Sequence, residues 1–348
     1  MCAGAGALEP ESRAGLSRSE GKGVAVFGTE IVCYLFLGGA GAGACFVLAV
    51  MGLLVPRSAI VQPSLEGAAG RARSTLDVPH EYRALFAPAF AAATLVLVLG
   101  VVFLLVDIGR VDQLLLLLTR PTLSYIVVGA YALALCVVLA AVLALAWGGF
   151  VRRMGLRLLV ALEVAVVLDA AVVMVYTGLL LHSMRAVPLW HSPWLPVLFV
   201  LSSVSCGFAL VVGIGQFSGA GHAFASVMRR AVALDAAVIV FEALAAALLV
   251  ATVVLGAQAD GPSGTMVAAE QSVTQLLYGS NAPLFWGGFV ALGLVVPLVL
   301  EGASVALRRL SSGTALGLAG CVLAGGLVLR WCVVDAGAHP VMTIVGLG

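Results

Sequence analysis

Apolar residues fill eight long stretches of this chain, about 27–54, 84–106, 123–150, 157–181, 193–217, 231–256, 281–303 and 313–334, and polar residues gather in the segments between them. As a helix, each stretch is long enough to cross the roughly 30 Å of hydrocarbon in a bilayer. Lipid offers the backbone no hydrogen-bond partner, so a spanning segment must satisfy its own N–H and C=O groups, as a helix does. The pattern therefore predicts an all-α integral membrane protein with eight transmembrane helices. Composition agrees: 62% of the 348 residues are hydrophobic, 10% are charged, and the net charge is +1. Mean hydropathy is +1.15. Such a chain is neither a water-soluble domain nor a basic nucleic-acid binder; its first partner is membrane lipid.

Organisation follows from the segments between the spans. Residues 1–23 are polar and Gly/Ala-rich, with no short apolar core before a cleavage site, and read as a disordered tail rather than a signal peptide. An offset of 164 positions sets Leu37-Gly38-Gly39 on Leu201-Ser202-Ser203 and Gly41-Ala42-Gly43 on Ser205-Cys206-Gly207. An apolar entry followed by a small-residue face thus recurs four spans later, which predicts two four-helix bundles running in the same sense, 24–192 and 193–334, before a C-terminal tail 335–348. Arg57, Arg71, Arg73, Arg83, Arg152, Arg153, Arg157, Arg229, Arg230, Arg308 and Arg309 share one side, 11 in all, against 7 on the other: Arg13, Arg18, Lys22, Arg110, Arg120, Arg185 and Arg330. The richer side is expected to be cytoplasmic, which leaves both termini extracytoplasmic.

Polar residues inside the spans carry the chemistry. Asp169 to Gly207 joins spans four and five, and Pro188, Pro193 and Pro196 force a turn there that holds His182, Arg185, Trp190, His191 and Trp194. The two tryptophans are expected to be interfacial anchors or docking residues. Glu30 and Tyr34, four apart near the outer end of span one, share a face; Glu30 either snorkels to the surface or is paired, wetted or protonated in place. Asp107 and Arg110 end span two, either as a local ion pair or lining a cavity where Arg110 donates to a carbonyl oxygen. Span three reads as featureless packing. Span four carries Glu163, Asp169, Tyr176 and Thr177 at successive depths. For Glu163 the favoured reading is an interhelical bond neutralised by Arg152, Arg153 or Arg157, and for Asp169 a place on a proton route. Asp235, Glu242 and Glu301 are expected to pair with Arg229, Arg230, Arg308 or Arg309, and Arg330 with Asp335. The loop 257–280 suits a docking surface. The seven cysteines form no C-x-x-C pair, and none of His80, His182, His191, His222 or His339 lies inside a span; the residues offer no iron–sulfur or metal ligand set and no axial ligand for haem.

Six segments in order, YLFLGGAGAG in span one, DIGR closing span two, YTGLLL with PLW after it, PVLFVLSSVSCG opening span five, FWGGFVALGLVVPL in span seven and LAGCVLAGGLVLR in span eight, resemble the NrfD/polysulfide-reductase membrane subunits. The resemblance runs over nearly all of Val24 to Ala338, with Val111 where many relatives carry Pro and Glu30 where His or Asn is often found. It implies a multi-pass subunit of the bacterial cytoplasmic (inner) membrane that binds quinone, menaquinone or ubiquinone, without haem. It also implies a ferredoxin-like iron–sulfur subunit on the outer face and a molybdopterin catalytic subunit beyond it. By position, Glu30, Tyr34, Asp107, Arg110, Tyr176, His182 and Arg185 fall at the quinone pocket, with Asp169 and Glu163 on a proton route and no catalytic residue in this chain. The function implied is electron exchange between the quinol pool and the iron–sulfur subunit of a respiratory oxidoreductase, with linked proton movement. A secondary transporter using mid-membrane carboxylates at Asp169 and Glu242, or a membrane anchor without quinone, are the alternatives.

Overall fold

The computed structural model describes residues 28–56, 58, 61–63, 74–76, 78–108, 125–151, 154–184, 187–219, 224–259, 264–307 and 311–337. Its eight long apolar helices are Thr29–Leu53, His80–Ile108, Tyr125–Trp147, Leu156–His182, Trp194–Phe217, Ala225–Ala259, a seventh that runs π-wound over Leu284–Val295 and then α-helical over Val296–Ala306, and Ser312–Gly337. Each falls on its expected stretch. Span six starts six residues before the expected 231 because a charge at a helix end moves the helix out of hydrocarbon without breaking it; only Gly, Pro or a lost cap does that.

Spans one to four close one ring by packing one on two, two on three, three on four and four on one. Spans five to eight close a second ring in the same way, and the rings meet where span one packs along span five, with flanking contacts from spans four and eight. Apolar residues surround most of these helices, so hydrophobicity alone does not select an inward face. Small residues select it. Cβ atoms built on Gly43 and Gly207 would overlap the backbone of the facing helix, so spans one and five touch main chain to main chain. These two glycines are the positions that the 164-residue offset superposes. Gly293 and Gly325 make the same kind of contact between spans seven and eight, and Gly178 meets Pro196 between spans four and five. Large side chains such as Leu95, Val138, Leu168, Phe241 and Val299 point outward, as lipid-facing residues do.

Two connections hold structure of their own. The segment between spans one and two contains a short antiparallel pair, β1 (Val61–Pro63) and β2 (Ser74–Leu76), with Val61 opposite Leu76. The expected loop 257–280 contains a helix, Gly264–Leu277. This helix buries Ala269, Val273 and Leu276 while Glu270 and Gln271 stay exposed, a one-sided pattern with no long apolar run in it. The Leu277 carbonyl accepts a bond from Trp286 Nε1–H of span seven at 3.1 Å.

Gly207→Ala tests the seam between the rings. It is expected to lower the stability of the detergent-solubilised protein by about 1–3 kcal/mol, read as a fall in thermal midpoint. Gly302→Ala, at a position where a Cβ would meet open space, is expected to leave the midpoint unchanged.

Candidate functional site

Of the residues singled out in the sequence, Tyr34 and Tyr176 are brought into direct contact. Tyr34 lies just over a turn inside the start of span one, and Tyr176 just under two turns before the end of span four. Antiparallel neighbours place both near the same end of the first ring, the Thr29 end. The Tyr34 hydroxyl donates to the Tyr176 hydroxyl oxygen at 2.8 Å, and both side chains are buried. Glycine makes room for the pair: a Cβ on Gly129 of span three would fall inside the Tyr176 ring. Span three, featureless in sequence, thus contributes the slot in which Tyr176 lies.

Two carboxylates stand around this end. Glu30 is half-buried in the first turn of span one, its carboxylate folded back over Gly28. Asp107 is exposed at the close of span two, near enough to Glu30 and Tyr34 to interact electrostatically with both. Arg110 and Arg185 lie outside the described residues. His182 is turned elsewhere: its Nδ1–H donates to the Ser192 carbonyl at 3.2 Å, and its ring stacks on that of His191 with centroids 4.8 Å apart. His191 Nδ1–H in turn donates to the His182 carbonyl at 3.2 Å. The two histidines therefore lock the turn between spans four and five rather than reach the tyrosines.

The lower carboxylates of span four do not form one line. Glu163 is buried and accepts a bond from Trp147 Nε1–H of span three at 3.2 Å; its carboxylate also covers Gly52 of span one. That is an interhelical hydrogen bond in place of the expected ion pair: Arg157 of the same span is exposed, and Arg152 and Arg153 lie outside the described residues. Asp169 faces Cys136 of span three, which faces Cys45 of span one, and Asp169 Oδ2 is buried without a hydrogen-bond partner. Glu163 and Asp169, six residues apart, are rotated about 120° from each other around the helix and so point to different neighbours.

Three expectations are corrected. Arg330 does not pair with Asp335, because five residues along a helix place the two about 140° apart. Arg330 Nε–H instead donates to the Leu35 carbonyl at 3.2 Å, Nη1 to Ser202 Oγ at 3.3 Å and to the Gly326 carbonyl at 2.9 Å, and Nη2 to Ser203 Oγ at 2.9 Å. Asp335 accepts from Asn281 Nδ2 at 2.8 Å. Trp190 is no interfacial anchor: it is fully buried, its Nε1–H donates to the Val333 carbonyl at 2.8 Å, and its ring covers Gly337. Trp194 is half-buried in the first turn of span five. Asp235, Glu242 and Glu301 are likewise buried among serines and each other rather than beside Arg229 or Arg230.

The family model described as Polysulphide reductase, NrfD, matches residues 18–341. The chain belongs to the NrfD family. The polysulfide reductase C subunit of Wolinella succinogenes is 34% identical over 186 residues, 51% of this protein and 53% of that one. Protein NrfD of Escherichia coli strain K12 is 34% identical over 182 residues, 51% of this protein and 52% of that one. The chain spans about half the length of these relatives in the matches. Family membership and eight spanning helices make it a multi-pass protein of the bacterial inner membrane.

In this NrfD-family protein an apolar cavity of about 270 Å³ opens at the opposite, Leu53 end, between Met51, Phe86, Phe208, Phe224 and Leu234. Among the described residues its polar groups are Tyr82 and Arg230, and no carboxylate or histidine lines it. Tyr34, Tyr176, Glu30 and Asp107 gather at the other end, whereas Glu163 at this end is taken up by Trp147, so the tyrosine pair, not this cavity, is the candidate site. Gly129 is the contributor that the sequence hid, and Trp190 the residue whose burial against span eight it hid. An isolated Gly in a featureless span, and a Trp next to a proline turn, look the same whether they pack, anchor or shape a site.

Trp190→Phe removes the one donor to the Val333 carbonyl that this ring supplies. It is expected to cost about 1–3 kcal/mol of stability, with iodide quenching Trp286 fluorescence before that of Trp190 in the folded protein. Equal quenching of the two would contradict the buried placement.

Proposed function

We propose that this chain is the haem-free quinone-binding membrane subunit of a respiratory oxidoreductase, exchanging electrons between the quinol pool and an iron–sulfur subunit. That subunit docks on the Thr29 end, which the Arg distribution makes extracytoplasmic, with a molybdopterin catalytic subunit beyond it. One observation carries the reading: a buried, mutually bonded pair of phenols, slotted by glycine, at the end of the ring where Glu30 and Asp107 meet water. The Wolinella relative is by its name one subunit of a reductase, which supports a subunit role here.

The residues fit the ligand. Tyr34 donates to Tyr176, and the Tyr176 O–H has no acceptor among the described residues, so it can donate to a quinone carbonyl oxygen. A bound quinone supplies the two-electron chemistry; the protein binds, orients and handles protons. The two phenols fix the head group by a hydrogen-bond chain that one buried hydroxyl passes to the next. Glu30 and Asp107, closer to the membrane surface, accept the protons that leave this end and pass them to water. The Gly129 face, on which the Tyr176 ring lies, keeps that phenol from turning away.

Tyr34→Phe and Tyr176→Phe each remove one hydroxyl and keep the ring. In the purified complex, quinol-dependent electron transfer followed optically is expected to fall about tenfold in each, the worth of one buried hydrogen bond, with assembly intact by size exclusion. Wild-type rates in both variants would remove the pair from the site.

A further inference from the structure

The cavity at the Leu53 end takes no part in the tyrosine site. It lies between spans one, two, five and six and has a volume of about 270 Å³. The seam between the rings creates it. Spans one and five touch through Gly43 and Gly207, and helices that cross at one point diverge on either side of it. Phe208, next to the contact glycine, lines the cavity, and so does Met51, about 12 Å along span one from Gly43, where the helices have separated. Span six covers the gap with Val227, Arg230, Ala231 and Leu234, the i, i+3, i+4, i+7 stripe of one helix face. Leu54 and Leu234 belong both to this wall and to the outer surface, with exposures of 77% and 58%, so the cavity is open to the surrounding lipid. Centred on roughly 30 Å of hydrocarbon, the 35-residue span six is about 52 Å long and projects about 11 Å at each end. Arg230, about 8 Å from its start, is then at head-group level, and Leu234, about 14 Å from it, is among the acyl chains.

The polar groups stand at one end of this apolar space. Tyr82 is in the first turn of span two and touches Phe224, with ring centroids 5.0 Å apart. Spans two and six both begin on the Leu53 side, and Cα–Cβ bonds tilt toward a helix start, so Tyr82 and Arg230 lean toward that membrane surface while the apolar wall continues deeper. Arg230 is exposed and has no hydrogen bond or ion pair among the described residues. Arg83 is committed elsewhere: its Nη2 donates to the Val78 carbonyl at 3.5 Å, and its guanidinium covers Gly149. With no carboxylate lining the cavity among the described residues, the charge at the rim is positive and unpaired. An apolar slot with such a rim is complementary to an anion that carries a hydrocarbon tail, and basic pockets between helices on the cytoplasmic side hold anionic lipid head groups. The Leu53 side is the one that the arginine distribution assigns to the cytoplasm.

We propose that this cavity binds one anionic phospholipid, with an acyl chain in the apolar space and the phosphate on Arg230, where the Tyr82 hydroxyl is a second donor. The volume suits a chain better than a ring system. At about 270 Å³ it is about nine times the roughly 30 Å³ of a water molecule, which a methylene group resembles in size. It falls short of the roughly 300–1,000 Å³ usual for a pocket that encloses a whole small ligand. The phosphate oxygens match the fixed fork of guanidinium donors, and the arginine stem lies along the apolar wall. A lipid held there fills the seam where the glycine contact ends and ties the two rings together at the end away from the tyrosine pair. The proposal does not rest on the quinone reading, since neither Tyr34 nor Tyr176 lines the cavity.

Native mass spectrometry of the purified full chain in detergent tests it. From an equal mixture of phosphatidylglycerol and phosphatidylcholine with the same chains, the protein is expected to retain one phosphatidylglycerol in preference. Arg230→Gln, a change at an exposed position, is expected to lower that retention about fivefold, and Arg230→Lys to keep most of it. Ala231→Leu, which fills part of the cavity, is expected to lower it as well. Lysophosphatidylglycerol, with one chain, should displace the bound lipid, whereas glycerophosphoglycerol, with the same head group and no chain, should not. Equal retention of the two phospholipids, or a preference that Arg230→Gln leaves unchanged, overturns the proposal. Displacement by glycerophosphoglycerol overturns the placement of a chain in the cavity. Retention of menaquinone in place of phosphatidylglycerol from an equal mixture of those two overturns the choice of ligand.

Discussion

A single buried guanidinium fixes how the two halves of this protein meet. An arginine in hydrocarbon costs several kcal/mol unless its N–H groups all find acceptors. Arg330 directs four of its donor interactions to Leu35, Ser202, Gly326 and Ser203, and lies over the rings of Phe36 and Phe199 at 5.8 and 5.2 Å. Those partners come from spans one, five and eight, so no sliding of one ring on the other keeps the charge satisfied. Gly39 is part of the same arrangement: a Cβ there would come within 2.8 Å of Nη2 and 2.6 Å of Ser203 Oγ.

The close approach that Arg330 needs is supplied by the glycines. Gly43 and Gly207 let spans one and five touch through their backbones, which brings the Leu35 carbonyl within reach of a side chain from span eight. A helical carbonyl has two lone pairs, so Leu35 can serve both its own helix and the guanidinium. Holding that carbonyl also holds Tyr34 beside it, at the depth where Tyr176 meets it. Packing at the seam and geometry at the candidate site are thus one constraint seen from two sides.

The rings divide the polar chemistry between them. The first has phenols near one end and carboxylates that each answer to a different neighbour, Glu163 to Trp147 and Asp169 to Cys136. The second buries its carboxylates at successive depths on spans six and seven. The shared seam is where the two sets come nearest, through the bond from Arg330 to Leu35. The π-wound stretch of span seven, next to span eight at Gly293 and Gly325, sits in the second ring and ends nearly two turns before Glu301.

Hydrophobic length alone determined the eight spans, because hydrocarbon thickness admits only helices of that size, and the ordered Gly-rich segments determined the family. The 164-residue offset even pointed to the glycine pair on which the rings touch. Which polar residues meet was decided by the tertiary structure. Tyr34 and Tyr176 are 142 positions apart, and their meeting depends on Gly129, whose only property is the lack of a side chain. Sequence neighbours misled for the same reason: Asp335 is near Arg330 along the chain but on another face of the helix, and Trp190 sits beside an outer turn yet folds inward onto Gly337. In a helix that is apolar all round, rotation about the axis is set by small residues and by buried charges seeking acceptors on other helices, and neither can be read from one span at a time.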